Sequence, residues 1–304
     1  MARKTHSDLV PKVSIGLPVY NGEKYLGAAV DSILSQDFED FDLVLCDNAS
    51  TDRTAEICQA YAARDKRVRY VRNATNIGAA PNHNRVVELA TGQYFKWAAH
   101  DDVSKPGLLK RCVEVLEQAP PSVALVYPRF EIIDDDGNLI GDHEGVSSIE
   151  TRAERPHRRV SHVLRRIGMG TAMYGLMRIE TVRKTRRIAS FDRSDYVLLA
   201  ELSMLGELWE IPETLLSRRL HAGHSAAIHP TVKAINAWYN PTANGDRLPQ
   251  RERLAVEYAR SAFRLPIATT DKLMCLVTAP SVHYFTSVLQ AVRRVKQKLE
   301  GTAA

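Results

Sequence analysis

The sequence predicts an α/β protein: a mostly parallel, Rossmann-like sheet flanked by helices, with a helical extension at the C-terminus. Three observations predict it. Short apolar runs alternate with segments of helical periodicity through the N-terminal third, and such alternation gives parallel strands covered by helices on both faces. Three of those runs stop abruptly in polar residues, at Tyr20-Asn21, Asp47-Asn48 and Asp101-Asp102. From Trp238 onward the periodicity is helical only. We read residues 1–230 as one α/β domain and residues 231–304 as the extension.

The elements follow in order. Val13 to Tyr20 is a buried strand closed by a Pro-containing loop and the turn signal Asn21-Gly22. Tyr25, Leu26, Ala29, Val30, Ile33 and Leu34 recur at helical spacing. Phe41 to Cys46 is the second strand, and Ser50 or Thr51 can cap a helix over residues 52–63. Val68 to Val71 is a short third strand. A Gly- and Asn-containing loop follows, then a helix over residues 82–90 and a strand from Tyr94 that ends at His100-Asp101-Asp102. Residues 106–118 read as a helix and residues 123–130 as a strand. Asp134-Asp135-Asp136-Gly137-Asn138 reads as a hairpin turn, because an EF-hand would need a closing Glu that is absent. A helix over residues 160–169, a strand or tight loop over residues 170–178 and a helix over residues 196–205 come next, with Ser194 or Asp195 at its N-terminal turn. Ile211-Pro212 and Leu215 to Leu220 read as a last strand, and two C-terminal helices cover residues 251–263 and 282–299.

Composition narrows the function classes. Hydrophobic residues make up 44% and charged residues 25%, an ordinary globular balance. The formal charge of +5 is mild, and no nucleic-acid partner is expected from it. Arginines crowd residues 152–187 with only Glu154 and Glu180 opposing them. That stretch reads either as a solvated face or as a contact for an acidic acceptor, a diphosphate or an anionic membrane surface. Cys46, Cys58, Cys112 and Cys275 suit neither a zinc site nor a disulfide framework, which points to reduced thiols in a cytoplasmic protein. No signal peptide and no membrane-spanning helix are expected. No GxGxxG follows the first strand and no GxxxxGK[ST] occurs, so a dinucleotide-binding domain and a P-loop NTPase are disfavoured.

Parallel strands present ligands at their carboxyl ends, so the three polar strand ends should share one rim. A buried strand ending in two adjacent carboxylates needs compensation for their desolvation. A cation, an arginine or water can supply it, a ligand-bound divalent metal being the sharpest of these, and a plain Asp-rich turn is the other reading.

The segments PVYNGEKYL from Pro18, DNASTDRT from Asp47 and TNIGAAPNHNRVVELATGQYFKWAAHDD from Thr75 resemble family 2 glycosyltransferases of the GT-A fold, in order and spacing over about residues 10–225. The resemblance implies inverting transfer of a sugar, assisted by Mg²⁺ or Mn²⁺ on hard oxygen donors, from a nucleotide-diphosphate donor of the UDP or dTDP type to an acceptor hydroxyl, in polysaccharide, glycolipid or other glycoconjugate assembly. It assigns Pro18, Val19, Tyr20 and Asn21 to the loop around base and ribose, Asp47 and Asn48 to the base, and Asn76, Gly78 and Asn82 to the segment beside nucleotide and metal. Asp101 faces ribose or donor sugar, Asp102 is the main metal ligand, and His221 closes over the diphosphate and metal. Asp195 is the catalytic base, with Asp192 as its rival. Asn48 stands where the family usually has a second Asp, and His100 stands in the acidic element itself.

The resemblance implies a saccharide, lipid-linked or small-molecule acceptor. The C-terminal helix, apolar at Phe285, Val288, Leu289, Val292, Val295 and Leu299 and basic at Arg293, Arg294, Lys296 and Lys298, has two readings. It either packs on the domain or on a second subunit as a homodimer, or lies peripherally on the inner membrane face. A nucleotide-sugar-binding module without turnover is the alternative function.

Overall fold

The computed structural model describes residues 10–142, 148–223, 231–241 and 248–278. The helix expected over residues 282–299 and His224 lie outside them.

The chain opens as β1 (Val13–Val19), α1 (Leu26–Leu34), β2 (Phe41–Asp47), α2 (Thr54–Arg64), β3 (Val68–Arg72), α3 (Ala79–Leu89) and β4 (Tyr94–Trp97). Strands β3, β2, β1 and β4 pair in parallel in that order, and Val19, Asp47 and Arg72 fall side by side in the register. The three polar strand ends therefore do reach one rim. Every residue of β1 is buried, as a strand covered on both faces must be. Val13, Ile15, Leu17 and Val19 pack with α1, while Val44, Cys46, Phe95 and Trp97 pack with Val86 and Val87 of α3. Gly16 is required at that second face, because a Cβ there would lie 2.5 Å from Val86.

Beyond β4 the sheet becomes mixed. Short β5 (Val103–Ser104) precedes α4 (Leu108–Gln118), β6 (Val123–Ile133), β7 (Leu139–Gly141), α5 (Pro156–Arg166), a 3-10 turn over Thr171–Tyr174 and β8 (Leu176–Arg178). Then follow α6 (Ile179–Lys184), α7 (Ser194–Leu205) and β9 (Glu207–Arg219). Strand β8 is antiparallel to β4 and β6, whereas β9 runs parallel to β6 and antiparallel to β5. Strand β9 starts before the expected Ile211, because Glu207 to Glu210 continues the ladder along β6.

The expected cap of α2 at Ser50 or Thr51 is corrected. Ser50 Oγ accepts from the Asn21 N–H at 2.9 Å, and the Thr51 N–H donates to Asn21 Oδ1 at 2.8 Å. Both residues cross-link the β1 and β2 loops, and Asp52 Oδ1 accepts the Thr54 N–H at the helix start instead.

Two further helices belong to the C-terminal part: α8 (Val232–Tyr239) and α9 (Gln250–Arg264), after which residues 269–278 are helical. Leu254, Tyr258, Ala262 and Leu265 bury against Val160, Leu164 and Val197 of α5 and α7. A buried ionic knot reinforces this contact. Arg186 Nε lies 3.0 Å from Glu201 Oε1 on α7, its Nη1 meets Glu257 on α9, and Ser261 Oγ donates to Glu201 at 2.7 Å. Glu201 and Glu257 are 0% and 2% exposed, so each charge requires its partners.

Much of the basic stretch over residues 152–187 proves to be internal wiring. Arg159 donates to the carbonyls of Ala153, Glu154, Ser203 and Met204, and Arg178 to those of Val123 and Leu116. Arg152 stacks on Trp209, and Arg187 pairs with Glu88. Among the described residues no helix is long and apolar enough to cross a membrane, and the four cysteines are buried free thiols.

Candidate active site

A cavity of about 660 Å³ opens at the carboxyl ends of β1, β2 and β4. The loop after β1 supplies Pro18, Val19, Tyr20 and Asn21 to one wall. Tyr20 is 40% exposed, so its ring offers a flat face to a ligand rather than filling the core. Asn48, Asn76 and Asn82 form the adjoining wall.

These asparagines are one network. Asn48 Nδ2 donates to Asn76 Oδ1 at 2.8 Å and to the Gly78 carbonyl at 3.2 Å. Asn48 Oδ1 accepts from Asn73 Nδ2 at 2.8 Å and from the Ile77 N–H at 3.0 Å. Asn73 also donates to Asn82 Oδ1 at 2.9 Å, Asn82 donates to the Cys46 carbonyl at 2.9 Å, and Arg85 donates to Asn73. Asn48 thus needs both a donor and an acceptor, which explains an amide where the family usually carries a carboxylate. Gly78, at φ 90°, opens α3, and α8 approaches it closely: a Cβ there would lie 2.6 Å from the Tyr239 carbonyl. Asn73 and Arg85 were not predicted; the Asn-rich loop was their only signal in the sequence.

Asp47 does not reach the cavity. It is fully buried, its Oδ2 accepting from Arg72 at 2.8 Å and Tyr70 at 2.9 Å, and its Oδ1 from the Ser50 N–H at 2.8 Å. In this structure the Asp47 carboxylate is held by these internal partners and is not part of the cavity lining. Asp47 fixes the β2 loop, and Asn48 is the residue that lines the wall.

The far wall joins β4 to β9. His100, Asp101 and Asp102 line it with Arg218, Arg219 and His221. Asp101 Oδ2 lies 3.0 Å from His221 Nε2, and the His221 ring packs on Tyr25 at 4.7 Å between centroids. Burial pushes the Asp101 carboxyl up, but His100 and His221 together outweigh it and hold it below the usual range. Asp102 is 8% exposed and accepts the Arg219 N–H at 2.9 Å. Burial and the neighbouring Asp101 charge push its carboxyl well up. The Arg219 guanidinium donates to the carbonyls of Asp101, Asp134 and Asp135, which clamps the β6–β7 turn onto the acidic pair.

Behind Asp102 lies a buried lysine that the sequence reading missed. Lys96 Nζ donates to the Tyr174 carbonyl at 2.5 Å and the Trp97 carbonyl at 3.2 Å. Burial pulls its ammonium down to about 8. A void of about 10 Å³, room for one water, is lined by Lys96, Asp102 and Tyr174.

Asp195 occupies the first turn of α7, where the helix dipole favours an anion. Burial pushes its carboxyl up to about 6, although the Tyr196 N–H, its own N–H and Arg218 stabilise the charge. It interacts electrostatically with Arg218 and Tyr174, both of which line the cavity. Gly170, at φ +69°, makes room for it: a Cβ there would sit 2.4 Å from Asp195 Oδ2. Asp192 is engaged elsewhere, accepting from Gln250 while its N–H donates to Asn236 at 3.1 Å. Helix α8 adds Ala237 and Trp238 to the cavity wall.

The donor set fits a hard divalent cation that keeps most of its coordination from outside the protein. Asp101 and Asp102 supply carboxylate oxygens, and among the described residues no group of three His, Cys, Asp or Glu side chains could hold a metal alone. His221 Nε2 lies within hydrogen-bond distance of Asp101 Oδ2, beside the acidic pair.

Comparison with known proteins agrees with this architecture. The model of the family described as "Glycosyl transferase family 2" matches residues 14–178, more than half of the chain. EpsE of Bacillus subtilis (strain 168) is 32% identical over 189 residues, covering 60% of this chain and 65% of EpsE. Chondroitin synthase of Escherichia coli is 36% identical over 133 residues, covering 44% of this chain and 19% of that protein. The chain therefore spans less than two thirds of either relative. Among solved structures, S. aureus TarS 1-349 in complex with UDP-GlcNAc superposes with a TM-score of 0.64 at 16% identity, over 90% of this chain and 72% of that one. Mannosyltransferase PcManGT from Pyrobaculum calidifontis, in complex with GDP-Man and Mn²⁺, gives 0.56 at 16% identity, over 96% and 81%. With a GT-A-type fold and a family match from β1 to β8, the chain belongs to glycosyl transferase family 2.

Proposed function

We propose that the protein transfers a sugar from a nucleotide-diphosphate donor, of the UDP or dTDP type, to an acceptor hydroxyl with inversion, in the assembly of a polysaccharide, glycolipid or other glycoconjugate. The observation that carries this reading is the shared cavity. Paired carboxylates at the end of β4 lie on one wall, and Arg218 and Tyr174 on the same lining adjoin a carboxyl poised at about 6. Neighbours of the same fold hold UDP-GlcNAc or GDP-Man with Mn²⁺, which supports the substrate class. Residues 1–230 form the catalytic unit in this reading, and the extension from residue 231 contributes Trp238 to its wall.

The base and ribose lie against Pro18, Val19, Tyr20 and the wall of Asn48, Asn76 and Asn82. Asp102 would hold a Mg²⁺ or Mn²⁺ ion, with Asp101 turned to ribose or donor sugar and fixed by His221. When bound, the metal supplies charge neutralisation for the departing diphosphate. Asp195 accepts the proton of the acceptor hydroxyl, and that oxygen attacks the anomeric carbon as the bond to the diphosphate breaks. One carboxylate base without a second, nucleophilic carboxylate gives a single displacement and inversion. Asp192, tied to Gln250, is the weaker candidate for the base. The four buried thiols suit a reducing, cytoplasmic site of action.

The test is a panel of UDP-, dTDP- and GDP-sugars with Mn²⁺, read by thermal shift and by release of nucleoside diphosphate. Stabilisation by one donor with diphosphate release on adding acceptor supports transfer. Stabilisation without turnover across saccharide, lipid-linked and small-molecule acceptors would reassign the protein as a binding module.

A further inference from the structure

His83, on α3, lines the cavity where the asparagine wall meets the acidic wall. Its backbone is pinned to the end of β4, because Trp97 Nε1 donates to the His83 carbonyl at 3.0 Å. Beyond Trp97 the chain runs directly to His100 and Asp101. His100 acts electrostatically on both His83 and Asp101, so these two side chains flank it.

Hydrogen bonding fixes what His83 offers to a ligand. Its Nδ1 lies 2.8 Å from the Ala79 carbonyl, and a carbonyl only accepts, so Nδ1 carries the proton. Burial pulls the imidazolium down to about 4, with His100 adding to the effect, so the ring is neutral near neutral pH. A neutral imidazole protonated at Nδ1 has Nε2 as an acceptor. That Nε2 has no partner among the described residues and is not sealed in the interior, so it opens toward the cavity. Asp101 offers the same chemistry. Its Oδ2 lies 3.0 Å from His221 Nε2, which leaves Oδ1 without a side-chain partner among the described residues. Two neighbouring acceptors need two protons from a ligand, and a vicinal diol supplies both.

Position in the cavity identifies the diol. With the base on the wall of Tyr20, Asn48 and Asn76 and the diphosphate at Asp102, the ribose spans the junction between them. C2′ adjoins the base-bearing carbon, so its hydroxyl falls on the side of His83. C3′ is one carbon nearer the diphosphate, on the side of Asp101.

We propose that the donor is a ribonucleotide, UDP-linked rather than dTDP-linked, with His83 Nε2 accepting from the ribose 2′-OH and Asp101 Oδ1 from the 3′-OH. The inference rests on the nucleotide-diphosphate donor reading. A deoxyribose brings a single hydroxyl and leaves His83 Nε2 covered and unpaired, a loss that discriminates strongly between close analogues.

UDP and dUDP differ only in that hydroxyl, so the pair separates it from the thymine methyl. Their affinities for the full chain with Mn²⁺ are measured by isothermal titration calorimetry. UDP should bind about tenfold or more tighter than dUDP. His83→Phe keeps the ring volume without the acceptor; it should bring UDP down to the level of dUDP and leave dUDP unchanged. His83→Gln, whose amide oxygen still accepts, should retain part of the preference, and it decides the matter if the Phe variant does not fold. Equal affinities in the parent would overturn the proposal, as would a preference that survives His83→Phe or is lost entirely in His83→Gln. A loss in His83→Phe shared equally by UDP and dUDP would move the contact to the base and overturn it too. If neither nucleotide binds, the donor reading falls and takes this inference with it; binding without discrimination sinks the ribose assignment alone.

Discussion

Replacing Asp195 by Asn tests the base assignment with two readouts of opposite sign. The carboxyl is raised from an ordinary 3.8 to about 6 by burial, so folding favours its neutral form. A group with a raised folded pKa contributes its stability below the unfolded value, and that contribution is lost as pH rises through the folded value. Above about pH 6 the native protein therefore carries a desolvated charge. At about 1.4 kcal/mol per pH unit, a rise of about two units sets an upper cost of ~3 kcal/mol at neutral pH. An uncharged amide of the same shape relieves it. Asp195→Asn should melt several degrees above the parent at about pH 7.5, since each kcal/mol moves a chain of this size by about 2–4 °C. The two proteins should converge at about pH 4, where the parent is also largely neutral. Turnover should fall by about 10²- to 10⁴-fold, the usual worth of a positioned general base. The parent's own rate should decline below about pH 6, because only the ionised form accepts a proton. Scanning calorimetry at the two pH values and a diphosphate-release assay suffice. A variant that is less stable at pH 7.5, or that keeps its turnover, would refute the assignment and return Asp192 to consideration.

The remaining predictions concern the supports of the site. Asp102→Ala should abolish the Mn²⁺-dependent part of the thermal shift given by a donor nucleotide; an unchanged metal dependence would remove Asp102 as a ligand. Gly170→Ala forces a Cβ into Asp195 and a side chain into left-handed backbone, so it should cost about 1–2 kcal/mol and lower turnover while nucleotide binding persists, as equilibrium dialysis would report. Asn48→Asp deletes the amide that donates to Asn76 and Gly78; a loss of about 1–3 kcal/mol in urea unfolding and a weaker donor affinity are expected. Arg186→Met leaves buried Glu201 and Glu257 short of a partner and should cost about 3 kcal/mol or more, seen as a lower melting temperature.

The sheet was legible because its parallel strands are buried on both faces, and β1, β2 and β4 read as apolar runs with helices between them. Strand β5 was not legible: two residues, Val103 and Ser104, carry no periodicity, and pairing with β9 alone defines them. The start of α2 was misread because Ser50 and Thr51 have the chemistry of caps, yet Asn21, thirty residues away in the chain, competes for both. The same limit explains Asp47. A strand-end acid looks identical in sequence whether it faces a ligand or an arginine. Only the pairing of β2 with β3 brings Arg72 and Tyr70 beside it. Lys96 was hidden for the opposite reason, since a lysine within an apolar run suggests an exposed position, and this one is anchored by backbone carbonyls of β4 and the turn before β8.

The acidic pair shows how environment divides two adjacent and identical side chains. Asp101 is partnered by His221 and has His100 beside it, so it stays ionised and fixed in direction. Asp102 is deeper, holds one backbone N–H and carries the cost of its neighbour's charge. An incoming cation offsets that cost at Asp102 far more than at Asp101, whose charge is already compensated. This asymmetry favours Asp102 as the ligand and Asp101 as the sugar or ribose contact. It also gives His100 a use: with His221 it keeps Asp101 charged, which leaves the uncompensated carboxylate at Asp102, where the ion of the proposed reaction would bind.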